Sequence, residues 1–208
     1  MDRNTNVLKR FVIYMAILTF VMFTIWALVK SFMNRPPGDY ETEVCDNRLK
    51  DKKYDQALTA ANIALGKTPN HRGAIMCKAL VFISEKKYMQ ANTELNYLIN
   101  FLENNLEDDD KTGKGTLAAA YANRGIIKDR NGSYKGALKD YIKALGIDHE
   151  AVAGPGLGTI ILNYKFKSSS VKERALYLNE QLQLPEEERV LSINELDEGQ
   201  VMHKPGKI

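Results

Sequence analysis

The chain has 208 residues, 44% of them hydrophobic and 26% charged, with a formal net charge of +3. These are ordinary globular proportions. So small a net charge, with basic residues spread among acids, argues against nucleic-acid binding, which needs a concentrated basic patch. About 170 residues remain once the apolar N-terminus is set aside, enough for one domain with a sizeable core.

A short tail, residues 1–10, precedes an uncharged apolar stretch at 11–29, FVIYMAILTFVMFTIWALV. As a helix it would be about 28 Å long, close to the hydrocarbon thickness of a bilayer. A helix also satisfies its own backbone in lipid. Residues 11–30 are therefore expected to form a retained transmembrane anchor, with Phe11, Phe20, Trp26 and Val29 in contact with lipid. Lys9 and Arg10 bracket one end, and Lys30 and Arg35 the other. A cleavable signal peptide is the rival, but Ala27-Leu-Val-Lys-Ser31 is a poor cleavage site. The flanking charges favour a cytoplasmic N-terminus by a small margin. The rest of the chain is then expected outside the cytoplasm, which in a bacterium is the periplasm of the inner membrane. Residues 31–38, with Pro36, Pro37 and Gly38, read as a linker.

Beyond the linker a pattern recurs. Tyr54, Ala57, Leu58, Ala61, Ala64 and Leu65 share one helical face, and so do Tyr134, Ala137, Leu138, Tyr141, Ala144 and Leu145. Tyr88 and Ala91 begin a further copy, at one common offset from Tyr54 and Ala57. A fixed period of roughly 34 residues marks an array of helical pairs. The spacing predicts helices at 39–51 and 54–66, 72–84 and 88–102, and 116–130 and 134–145. Residues 104–115 (NNLEDDDKTGKG), polar and rich in glycine, read as a loop. A weaker fourth pair is expected at 156–167 and 171–184. After Pro185 a short helix leads into an irregular tail, 185–208.

The stretch 39–184 resembles the tetratricopeptide repeat family. Tyr121, Gly125, Gly132, Tyr134, Ala137, Tyr141 and Ala144 carry the resemblance in the third repeat; Tyr54, Ala57, Ala64, Leu65 and Pro69 carry it in the first. The second keeps Ala79, Phe82, Tyr88 and Ala91, and the fourth keeps Leu162, Phe166, Ala175 and Leu176. The resemblance implies an all-α solenoid of three to four helix-turn-helix repeats, in which these residues pack helix on helix. It also implies that the first helix of each pair lines a concave face. Candidate protein-binding residues on that face are Met76, Leu80, Ile83, Asn123, Ile126, Arg130 and Tyr164. Such a groove is rather apolar and suits a helix or extended hydrophobic peptide. Only Asn123 fits the basic-plus-asparagine pattern with which family members grip a free carboxylate.

Other motifs carry little chemistry. Cys45 and Cys77 have no metal-ligand spacing with His71, His149 or His203. They read as small core residues, with a disulfide between neighbouring repeats as the alternative in an oxidising compartment. Asp108-Asp-Asp-Lys-Thr-Gly113 resembles the start of a calcium loop but has Ala119 where the closing glutamate belongs. Gly113-Lys-Gly-Thr116 is not a phosphate loop, and Gly154-Pro-Gly-Leu-Gly158 follows no predicted strand. No nucleophile–base set is present, so neither an enzyme nor a cofactor or metal is expected. The expected function is a membrane-anchored interaction scaffold: an assembly factor or accessory subunit of a membrane complex, held by one span in the bilayer. The alternatives are a receptor for peptides or unfolded clients and, less favoured, an accessory protein of a cell-envelope enzyme.

Overall fold

The computed structural model describes residues 4–33, 35–150, 152 and 170–192. Eight α-helices occur among them: α1 (Thr5–Met33), α2 (Asp39–Lys50), α3 (Tyr54–Lys67), α4 (Arg72–Ser84), α5 (Tyr88–Asn105), α6 (Lys111–Arg130), α7 (Tyr134–Ile147) and α8 (Val171–Gln183). The fold is an all-α solenoid of the tetratricopeptide type, with α2–α3, α4–α5 and α6–α7 as its three pairs. Helix α1 is long and apolar enough to cross a membrane, and none of its apolar stretch is buried against the rest of the chain.

The three pairs turn in the same way. Lys52 N–H donates to Leu49 O (3.0 Å), and Lys53 N–H to Arg48 O (2.8 Å). Lys86 and Lys87 repeat this with Ile83 and Phe82, and Gly132 and Ser133 with Asp129 and Lys128. Crossed bonds of this kind close a helix over one left-handed residue. That residue is Lys52 (φ 58°), Lys86 (φ 59°) or Gly132 (φ 75°).

Packing explains the small residues of the pattern. Ala57, Ala61, Ala64, Ala91, Ala137 and Ala144 are fully buried where helices meet. Gly125 lies against Tyr141, so a Cβ there would stand 2.6 Å from Tyr141 Cε1. Helix α4 is apolar round most of its circumference (Ile75, Met76, Ala79, Leu80, Val81, Ile83) and is accordingly buried there, while half-buried Lys78 pairs with Glu94 (2.8 Å).

Three expectations change. The segment read as a loop to residue 115 is helical from Lys111, and α5 runs on to Asn105. Asp110 caps α6 by accepting the Gly113 N–H (2.7 Å) and is ion-paired with Arg72. Gly113 is there for close approach and not for a loop: a Cβ would collide with Leu106 Cδ1. The two cysteines, read first as separate core residues, form a disulfide between α2 and α4 with a Cα–Cα distance of 6.4 Å. Both are fully buried. The short helix after Pro185 is a single 3-10 turn, Glu186–Glu188.

Helix α8 packs on α7 and opens with a capping box, Ser170 with Glu173. The first helix of the fourth pair, 156–167, lies outside the described residues. Beyond α8 the chain folds back along it: Arg189 Nε donates to Leu184 O (2.8 Å), Val190 N–H to Gln181 Oε1 (2.8 Å), and Tyr177 OH to Val190 O (2.5 Å).

Candidate protein-interaction surfaces

The register predicted from the repeats brings the concave-face candidates together, though not in the open. Asn123 on α6 donates to the Met76 sulfur on α4 (3.5 Å), across 47 residues of sequence. Met76, Leu80, Ile83, Asn123 and Ile126 are all buried, none more than 3% exposed. These five therefore belong to the interior and do not line an open groove. The physical reason is composition: with apolar side chains round most of its circumference, α4 has little but Lys78 to leave at the surface. Arg130, at the end of α6, is exposed. Tyr164 lies outside the described residues.

The anchor candidates behave differently. Phe11, Phe20, Trp26 and Val29 are 60%, 70%, 57% and 49% exposed, so they await a surrounding phase. Lys30 Nζ sits 4.9 Å from the centre of the Trp26 ring, placing a cation over an aromatic face at the end of the apolar stretch.

Where the linker meets the repeats, the chain is pinned. Gly38 has φ +96°, and a Cβ on it would stand 2.9 Å from the His71 ring. His71 caps α4: its Nδ1 accepts the Ala74 N–H (3.2 Å), which assigns the proton to Nε2, 2.8 Å from Asp39 Oδ1. Thr68 Oγ1 donates to Pro37 O (2.8 Å), and Lys67 pairs with Glu41 (2.7 Å). The Lys67 ammonium holds the Glu41 carboxyl below its ordinary pKa. Together these contacts fix the direction in which the chain enters the array.

Two polar clusters escaped the sequence reading. In the first, Arg174 of α8 grips Asp129 of α6 through Nε (2.7 Å) and Nη2 (2.8 Å), Tyr141 OH donates to the same carboxylate (3.1 Å), and all three residues are buried. A signal for it existed: Arg174 stands on the stripe Val171, Ala175, Leu178, an apolar face with one charge. In the second, Arg124 binds Asp140 through two nitrogens (2.8 Å each) and Asn96 through Nη1 (2.7 Å). Beside it Tyr121 OH bonds Glu103 and accepts from Lys143 Nζ (2.9 Å). Burial and then the Glu103 carboxylate raise the Tyr121 pKa above its usual value, so the phenol stays protonated. Both clusters join helices of successive pairs, and in the second Lys128 (2.7 Å) shares Asp140 with Arg124; their chemistry is structural. Among the described residues no group of His, Cys, Asp and Glu side chains could hold a metal ion.

No protein-family model and no curated protein matches this chain. A solved structure similar to it is the first tetratricopeptide repeat domain of Spaghetti (RPAP3), bound to the HSP90 peptide SRMEEVD. The two share 16% identity at a TM-score of 0.49, over 71% of this chain and 94% of that one.

Proposed function

We propose that this chain is a membrane-anchored protein-interaction scaffold, an assembly factor or accessory subunit of a membrane protein complex. The observation that carries the reading is a lipid-compatible helix followed, after a short linker, by a helical-repeat domain. Helix α1 leaves its apolar side chains exposed, and Asp39 and Glu41 at the start of the repeats are locked onto His71 and Lys67. So short a connection keeps the solenoid beside the bilayer, which a scaffold at a membrane surface needs. Residues 11–30 act as the anchor, 31–38 as the linker and 39–184 as the repeat domain, with 185–208 beyond it.

The Cys45–Cys77 disulfide supports placing the repeat domain on the oxidising side of the membrane, because such bonds persist where thiols are not kept reduced. In a bacterium that is the periplasmic face of the inner membrane. The burial of Met76, Leu80, Ile83 and Ile126 weighs against the peptide-receptor alternative, which would use them as an open apolar groove.

Detergent extraction followed by pull-down of the full chain tests this reading. A scaffold brings down one partner complex at constant stoichiometry. A heterogeneous set of client proteins would overturn it in favour of the receptor. A reporter fused after Ile208 checks the orientation; activity on the cytoplasmic side would overturn the placement.

A further inference from the structure

The three like-built turns that join the helices of each pair lie along one edge of the solenoid. Helix α2 starts at the linker and runs away from it for 12 residues, about 18 Å, before the first of these turns. The other edge carries the linker and the turns between pairs, as Thr68–Pro37, His71–Asp39 and Arg72–Asp110 contacts show. Acids gather on that anchor edge: Asp39, Glu41, Glu43, Glu107, Asp108, Asp109, Asp110, Asp148 and Glu150, against Arg35, Lys67, Arg72, Lys111 and Lys114.

The far edge has the opposite sign. Arg48, Lys50, Lys52 and Lys53 mark its first turn, Lys86 and Lys87 the second, and Lys128, Arg130 and Lys135 the third. Its acids are mostly engaged. Asp51 pairs with Lys53 (3.5 Å) and Arg48 (4.0 Å), Glu85 with Lys87 (3.1 Å), Asp140 with Lys128 (2.7 Å), and Asp129 with Arg174; Asp55 on α3 also lies here. No ion pair to Lys50, Lys52, Lys86, Arg130 or Lys135 occurs among the described residues, and all five are exposed. Lys52 and Lys86 moreover occupy left-handed backbone, at φ 58° and 59°, which glycine or asparagine adopts at least cost. The third turn does use glycine, Gly132. Lysine twice in a glycine position, each time at the tip of a basic turn, is a local disadvantage that points to a use for the charge.

We propose that this basic turn edge is a docking surface for an acidic segment of a protein partner. The proposal rests on the scaffold reading and deepens it by naming the partner's chemistry. Charge complementarity commits the edge to an acidic protein segment, at a place about 18 Å along α2 from the linker. Binding to anionic lipid is the outcome that the nanodisc arm of the test separates.

The test uses the full chain in neutral nanodiscs and a fluorescent poly-glutamate peptide as probe. Wild type binds it with an affinity that falls as salt rises. Lys52→Gly/Lys86→Gly places the preferred residue at each left-handed turn, so Tm holds or rises, while affinity drops about tenfold for two lost surface charges. Lys111→Gln/Lys114→Gln removes the same charge from the anchor edge and stays within about twofold. Equal affinity of the turn variant and wild type overturns the proposal, as does an equal loss in the control. Loss of peptide binding in anionic nanodiscs would assign the edge to lipid and overturn it too. In the pull-down, partner yield falls for the turn variant. An unchanged yield overturns the edge but leaves the scaffold standing, whereas wild type without any partner removes the scaffold reading itself.

Discussion

Arg174 and Asp129 form a bidentate ion pair, 2.7 and 2.8 Å, between residues that lie 45 positions apart in sequence. The pair ties the last described helix to the third repeat, and Arg174 also donates to Leu191 O (2.9 Å), so it fixes the folded-back segment as well. Removing one partner of a buried pair leaves a charge without compensation, at a cost of about 3–5 kcal/mol. Arg174→Met is therefore expected to lower Tm by roughly 10 °C. Asp129→Asn added to it should recover part of the loss, because the stranded charge is gone. Thermal denaturation of the two single variants and the double gives the coupling; strict additivity would show that the pair does not act as a unit.

The disulfide should be complete and inaccessible. Alkylation of the denatured chain without reductant is expected to leave its mass unchanged. Cys45→Ala/Cys77→Ala removes a link across a sequence separation of 32, and the lost constraint costs about 2–4 kcal/mol. Equal urea midpoints of the double variant and wild type would deny the bond its structural role.

Two glycine-to-alanine changes should act in opposite directions. Gly66 lies in α3 with nothing within 4 Å of an added Cβ. Alanine there gains about 0.5–1 kcal/mol of helix propensity. At Gly125 the same gain is opposed by a Cβ 2.6 and 2.7 Å from two carbons of the buried Tyr141 ring. The ring has no room to retreat, and overpacking costs typically about 1–3 kcal/mol. Gly125→Ala is expected to destabilise and Gly66→Ala to stabilise; denaturant midpoints measure both.

Asp110 gives the acid limb a specific contributor. Arg72 first, and then the Gly113 N–H, hold its carboxyl below the ordinary value of 3.8. A carboxyl whose folded pKa is depressed contributes stability above its unfolded pKa and loses it as pH falls through the folded one. Asp110→Asn keeps a capping side chain but drops the charge. It should be less stable than wild type at neutral pH, with the gap closing below about pH 4. A gap independent of pH would assign the effect to the cap alone.

The fold was legible because a repeat period of roughly 34 residues survives in few positions, among them Tyr54, Tyr88, Ala57 and Ala91. That period says which residues share a face; it does not say what lies against the face. Hence the period alone puts Met76 and Asn123 on neighbouring first helices, and only the structure shows them buried against each other. Gly113 and Gly115 suggested a loop because glycine is a poor helix former, whereas tight packing against Leu106 is what requires glycine at 113. The cysteines gave no pairing, since spacing alone does not set their Cα distance. The basic edge was invisible for a related reason: charges one full repeat apart look scattered until the turns align.

The most direct measurement of the central claim is in-cell photocross-linking from the full chain, with a photoreactive residue in turn at Lys86, Arg130 and, as a comparison away from the turns, Ile63. Ile63 is 50% exposed on α3 and carries no charge. The account predicts one recurrent protein adduct from Lys86 and Arg130, at a yield well above that from Ile63. Absence of any adduct at the edge positions, or adducts spread evenly over many proteins from all three, would contradict it.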